Sequence, residues 1–299
     1  MRVVIGGGTG FVGRHLCRLL REHGYRTTII SRKEGPDQMT WNSLSELGLP
    51  EDCTAVVNIA GENILNPMVR WSEEFKNAVI SSRVDTTKMM AEMIKKARNP
   101  PKVFVTMSGV GYYEPSPTAE YTESSTGGDF DFLSRLCTDW ESAGSLPDDM
   151  AVRRVIVRSG VVLGRDGGMI QQLFLPFFLG IGGKIGTGKQ WFPWIHIADI
   201  SGIICHAIKN DDVTGILNGV APEMATNSDF TQAYGRAMWR PTVFPIPTFM
   251  IKFMYQSERS KIILEGQKVI PKRTLESGYK YVFPDLKSTC SDCAKLMSS

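Results

Sequence analysis

The sequence predicts an α/β protein: a doubly wound parallel Rossmann sheet with a smaller substrate lobe and a short, mainly helical C-terminal unit. Three observations carry this. A β-branched strand runs straight into GGGTGFVG, four more strand-like segments alternate with helical ones, and the alternation loosens beyond Gly160.

Residues 2–5 have the short, β-branched character of a buried strand and deliver the chain into the glycine-rich turn from Gly6 to Gly13. Gly7, Gly10 and Gly13 fall at GxxGxxG spacing, while Gly8, Gly10 and Gly13 fit GxGxxG, so the turn alone does not choose between dinucleotide-binding families. Its glycines allow a tight turn, a close backbone approach to a pyrophosphate and close helix–sheet packing. A helix over 11–23, ended by Gly24, turns the free N–H groups of its first residues, Phe11, Val12 and Gly13, toward the phosphates.

Further strands are expected at 26–30, 54–59, 102–107 and 153–157. The apolar spacing of Phe75, Val79, Val84, Met89, Met90, Met93 and Ile94 predicts one long helix over 72–98, its methionines serving as core filler. Beyond Gly160 come GRDGG, an apolar stretch at 174–181, the glycine-rich 180–190 and the aromatic WFPWIH, together better suited to a substrate lobe than to the sheet. A helix is expected over 228–239, and Pro241, Pro245 and Pro247 then punctuate a connection. The expected division is a dinucleotide-binding domain over 1–240, with its substrate lobe at about 160–240, and a small C-terminal domain over 248–296.

With 299 residues, 42% of them apolar, the chain can bury a full core. A formal net charge of +3 without a long basic run gives no footprint for nucleic acid, and no apolar run approaches the roughly 20 residues that span a bilayer. The partner expected is a small-molecule substrate, and the oligomeric state is left open. A strand beginning at residue 2 leaves no room for a targeting segment, and six scattered cysteines suit a reducing, cytoplasmic compartment. Cys290 and Cys293 form a lone CxxC, read as two unpaired thiols. The four histidines (His15, His23, His196, His206) are not spaced as ligands, so no metal is expected.

The second strand ends in Ser31-Arg32-Lys33, where an NAD-specific protein usually places an acid for the ribose 2′-hydroxyl. A guanidinium there can fork onto a 2′-phosphate, with Ser31 as a neutral donor, so the expected cofactor is NADP(H). Asn58-Ile59-Ala60-Gly61 follows the strand entering the sheet centre. Small residues there let an adenosine and its ribose lie against the backbone, although an ordinary strand-to-loop turn would read the same way.

These segments, with Met107-Ser108 closing a central strand and Ile195-His196-Ile197-Ala198-Asp199, resemble the extended and atypical short-chain dehydrogenase/reductases. SGVGYY, RSGVVLGRDGG, GTGKQWFPWIHIADI and GQKVIPKR narrow the resemblance, which spans nearly the whole chain, to the sugar-nucleotide-epimerase-like branch with a short C-terminal domain of unknown function. That resemblance implies NADP(H) contacts at Ser31, Arg32, Ile59, Ala60 and Arg83, and at the backbone from Ser159 to Val162. It also makes Gly7, Gly10 and Gly13 the operative trio.

The superfamily's Tyr-xxx-Lys pair, whose lysine depresses the tyrosine pKa for proton exchange, has no counterpart: Leu133 and Cys137 stand at those positions. Candidates to replace it are Ser108, which matches the superfamily serine that hydrogen-bonds a substrate oxygen, Tyr112 or Tyr113, and the pair His196 and Asp199. Each has a structural alternative; Asp199, for example, suits the N-cap of a helix over 200–209. Two functions therefore stay open: an NADP(H)-dependent oxidoreductase or epimerase acting on a small carbonyl or sugar-like compound, and a non-catalytic NADPH-binding redox sensor or scaffold.

Overall fold

Val3, Val4 and Ile5 are fully buried, which both faces of a covered parallel strand require. In the computed structural model, which describes residues 1–297, the chain runs β1 (Arg2–Gly6), α1 (Phe11–Glu22), β2 (Arg26–Ser31), β3 (Gln38–Thr40), α2 (Trp41–Leu47), β4 (Cys53–Asn58), α3 (Glu73–Ser81), α4 (Val84–Lys96) and β5 (Val103–Gly109). It continues through β6 (Glu120–Tyr121), α5 (Phe132–Ala143), β7 (Arg153–Ser159), β8 (Val161–Leu163), α6 (Gly168–Phe178), β9 (Trp194–His196), α7 (Ile197–Lys209) and β10 (Gly215–Gly219). The last elements are α8 (Asn227–Ala237), α9 (Thr248–Leu264), β11 (Lys268–Val269), α10 (Lys272–Glu276) and α11 (Leu286–Cys293).

Seven strands form one parallel sheet in the order β10-β7-β5-β4-β1-β2-β3. On one face Leu16 and Leu20 of α1 and Ile200, Ile203 and Ile204 of α7 pack with Val3, Ile5, Val57, Val105 and Val157. On the other, Met90, Met93 and Ile94 of α4 pack with Val4, Ile30, Val56 and Phe104. This is a Rossmann-like α/β fold, and its order reverses between β1 and β4, where the carboxyl ends of parallel strands open a crevice. No helix among the described residues is long and apolar enough to cross a membrane.

The five expected strands form, and two edge strands, β3 and β10, add to them. The helix expected over 72–98 is instead two. It breaks at Ser82 and Arg83, where the Arg83 side chain turns back to donate to Glu62 O (2.9 Å) and Val79 O (3.2 Å). Asp199 is not a cap. His196 caps α7, its Nδ1 accepting from the Ala198 N–H at 3.2 Å, while the Asp199 carboxylate accepts from Tyr279 Oη (2.9 Å) and from the N–H groups of Val282 (2.7 Å) and Phe283 (2.9 Å). This fully buried acid thereby fastens the C-terminal segment to α7. Cys290 and Cys293 are buried in α11 beside Phe230 and Tyr234 of α8, and burial pushes the Cys293 thiol up to about 12.

Candidate functional site

The turn after β1 is built for close backbone approach. Gly7 sits at φ +80°, and a Cβ there would lie 2.7 Å from Ala60 N; a Cβ on Gly13 would lie 2.2 Å from Gly7 O. Gly10 N–H donates to Gly7 O at 3.0 Å and serves as the N-cap of α1, without a capping side chain. With no acid in the first turn, the amides of Phe11, Val12 and Gly13 face the carboxyl edge of the sheet as an anion cradle. Arg32, exposed just past the end of β2, has no carboxylate within ion-pair distance among the described residues. Ser31 Oγ is held in the same turn, accepting from Lys33 N–H at 3.2 Å and within 3.0 Å of Gln38 Oε1. An unpaired cation beyond a glycine cradle fits a phosphorylated dinucleotide.

Asn58 is fully buried, and its side chain works inward: Nδ2 donates to Thr86 Oγ1 (3.1 Å) and Thr87 Oγ1 (2.7 Å), and Oδ1 accepts from Ala60 N–H (3.2 Å). It thus shapes the Ile59-Ala60-Gly61 turn against α4. The Arg83 guanidinium lies on that turn, its Cζ 2.9 Å from where a Gly61 Cβ would stand and 5.2 Å from the Trp140 ring centroid. Burial without a carboxylate partner lowers its pKa to about 10. Ser159 Oγ donates to Gly160 O at 2.8 Å, and Val162 pairs with Ile195 across β8 and β9.

The expected catalytic residues Ser108, Tyr112 and Tyr113 gather around Arg158, which pairs with Ser108 across β5 and β7 and lies over both tyrosine rings. Ser108 Oγ, near the end of β5, is buried against the Cys137 thiol, its hydrogen-bonding neighbour, and burial pushes that thiol up to about 11. Tyr113 is fully buried: its hydroxyl donates to Asn218 Oδ1 (2.8 Å) and accepts from Arg158 Nη1 (2.9 Å), and burial raises its pKa. Arg158 forks onto Glu141 at 2.7 and 2.8 Å and lies 3.4 Å from the Tyr112 ring centroid. Burial alone would lower the Arg158 pKa, but the Glu141 bonds and charge hold it above its ordinary value. Both tyrosines therefore belong to a buried Arg158–Glu141 network that sequence reasoning missed; Arg158 stands there only as the first residue of RSGVVLGRDGG, just past the strand expected over 153–157, and nothing local marks Glu141 as its partner. His196 and Asp199 are engaged as described above.

Two residues beyond Ser108 a chamber of about 170 Å3 opens, walled by Val110, Leu133, Val161, Met169, Ile185 and Trp191, with residues 261–263 and 265–267 closing one side. Leu133, at the superfamily tyrosine position, packs on Gly111, its Cβ 3.1 Å from where a Cβ of Gly111 would lie. The glycine-rich and aromatic segments of the substrate lobe do line this chamber, through Ile185, Gln190, Trp191, Phe192 and Pro193. The contribution of α9 had no signal in the sequence.

Residues 3–218 match the NAD dependent epimerase/dehydratase family, and residues 246–293 match a domain of unknown function, DUF1731. The chain is 54% identical over 287 residues to Epimerase family protein SDR39U1 of Bos taurus, covering 96% of this chain and 97% of that one. It is 34% identical to Epimerase family protein YfhF of Bacillus subtilis, over 97% of each. A crystal structure of human epimerase family protein SDR39U1 with NADPH superposes with a TM-score of 0.97 at 52% identity, over 99% of each chain. UDP-glucuronic acid 4-epimerase of Bacillus cereus, at 16% identity and a TM-score of 0.78, shares the fold. With its glycine cradle, its seven-stranded sheet and these whole-length similarities, the chain belongs to the NAD dependent epimerase/dehydratase family.

Proposed function

We propose that this chain is an NADP(H)-dependent oxidoreductase that reduces a small, predominantly apolar carbonyl compound. The single observation that carries the substrate class is the chamber wall. Its charged groups are one lysine, Lys261, against two carboxylates, Asp131 and Glu265, and the rest is chiefly aliphatic and aromatic. A nucleotide sugar brings a pyrophosphate that needs cations or free amides, and this wall offers the opposite charge balance. Its three side-chain amides are each engaged through one atom: Asn227 Oδ1 accepts from Ile185 N–H at 2.8 Å, Gln190 Nε2 lies 3.3 Å from Ile185 O, and Gln267 Nε2 donates to Tyr113 O at 3.0 Å.

For the cofactor, Arg32 and the amides of Phe11, Val12 and Gly13 fit the 2′-phosphate and pyrophosphate, and the SDR39U1 structure with NADPH supports the choice. When bound, the dihydronicotinamide supplies a hydride to the carbonyl carbon. Ser108, buried two residues before the chamber wall begins at Val110 and beside the Cys137 thiol, is the hydroxyl we assign to the substrate oxygen, whereas Tyr113 is already committed. Water entering the chamber supplies the proton that completes the alcohol. Neither Leu133 nor Cys137 can depress a phenol's pKa or carry its proton, so the reaction runs without the usual tyrosine.

The test is NADPH oxidation against two panels, short apolar aldehydes and ketones on one side and nucleotide sugars on the other. Turnover confined to the first panel is expected. Turnover confined to nucleotide sugars overturns the substrate class, and tight NADPH binding with no turnover in either panel favours the redox-sensor function instead.

A further inference from the structure

We propose that the crevice between α1, the turn joining β8 to α6, and α11 is a second ligand site, taking a doubly charged tetrahedral oxyanion of the phosphate class. The crevice encloses about 290 Å3, room for a phosphate group with a small organic substituent. Arg14, His15 and Arg18 reach it from one face of α1, since positions three and four apart share a helix face. Arg165 comes from the turn and His196 from the end of β9.

Two features mark a built site rather than a surface furrow. Three guanidiniums share one crevice, and none of them has a carboxylate within ion-pair distance among the described residues. His15 Nδ1 is also buried without a hydrogen-bond partner, while His196 Nε2 stands 3.3 Å from Asp292 Oδ2. His196 is only 3% exposed, and its Nδ1 accepts from the Ala198 N–H, so the neutral ring carries its proton on Nε2. That N–H is held at 3.3 Å from Asp292 Oδ2, a long contact that an oxyanion in the crevice can share or replace.

The charges facing the two rings are Arg18, Glu22 and Asp166 for His15, which also feels His196, and Asp292, Asp199 and Arg165 for His196. Three arginines against Asp166 and Asp292 leave the crevice cationic. An oxyanion adds to its hold by drawing a proton onto His15, whose Nδ1 is free to take one. The site adjoins the dinucleotide cradle at Phe11 and extends from there along the flank of α1, through Arg14, His15 and Arg18, away from the amides that face the pyrophosphate.

The experiment titrates sulfate, whose charge is constant over the range, into NADPH-saturated full-length protein by calorimetry at about pH 6 and about pH 8. Saturable binding, roughly tenfold tighter at the lower pH, is expected. In Arg18→Ala/Arg165→Ala binding is lost while NADPH affinity is kept; in His15→Gln binding persists but its pH dependence is lost. No saturable heat, undiminished binding in the double variant, or competition with NADPH would each overturn the site. Inorganic phosphate and glycerol phosphate, run in parallel, separate the sources: a preference for the ester assigns a phosphorylated metabolite, a preference for the free ion assigns phosphate itself.

Discussion

The Arg83 guanidinium lies flat against Gly61, so close that a methyl group at position 61 would stand 2.9 Å from its Cζ. A cation from the start of α4 is thereby fixed beneath the loop that follows β4, at the strand-order reversal. Its partners are the carbonyls of Glu62 and Val79 and the face of Trp140, not a carboxylate, so its charge is left for an anion to complete. Arg83→Ala is expected to lower unfolding free energy by about 1.5–3 kcal/mol, the scale of hydrogen bonds from a charged donor, and to weaken NADPH binding. Gly61→Ala should weaken NADPH binding with a smaller loss of stability, because it displaces the guanidinium without deleting it. Denaturant unfolding alongside cofactor titration checks both; unchanged NADPH affinity in both variants contradicts the placement.

Arg32 has the opposite character, exposed and without a carboxylate at ion-pair distance among the described residues, so its loss should leave stability nearly unchanged. Arg32→Ala is expected to cost roughly ten- to a hundredfold in NADPH affinity and almost nothing for NADH, as removal of one charge-assisted phosphate contact implies. Fluorescence titration with both cofactors decides; equal losses would sink the 2′-phosphate assignment.

The Arg158–Glu141 pair predicts a stability phenotype where the sequence suggested catalysis. Glu141→Ala strands a buried guanidinium and should cost about 3–5 kcal/mol. Tyr113→Phe should cost about 1–3 kcal/mol, since it leaves Asn218 and Arg158 each short of a partner. Its pH–rate profile should match wild type, whereas a lost ionisation in that profile would restore Tyr113 as the proton donor.

How much of this was legible beforehand depended on the range of each interaction. The central strands announced themselves because residues such as Val3, Val56 and Val105 are buried on both faces and must be apolar. The edges did not: β3 reads Gln-Met-Thr and β10 reads Gly-Ile-Leu-Asn-Gly, with too little periodicity to mark a strand. The Gly7–Gly13 turn and Arg32 were visible because their chemistry is local. The break at Ser82-Arg83, the tie from Asp199 to Phe283 and the meeting of His15 with His196 were not, because each depends on segments brought together only by the completed sheet.

Acid should expose the two histidines. Burial is the first cause that lowers the pKa of both His15 and His196 from 6.5, so the unfolded chain takes up protons that the folded one refuses. Their contribution to stability is complete above that value and is lost as pH falls below it. The Tm is therefore expected to drop between about pH 7 and about pH 5, less steeply in His15→Gln, and sulfate should restore part of it. A Tm that holds or rises through that interval contradicts the sign.

The most direct test of the central claim is kcat/KM for NADPH-dependent reduction along a series of straight-chain aldehydes. An apolar chamber contributes about 0.8 kcal/mol for each methylene it buries, so kcat/KM should climb roughly fourfold per carbon and then fall once the chain outgrows the roughly 170 Å3 available. A flat series, with turnover found only for a nucleotide sugar, would contradict the account.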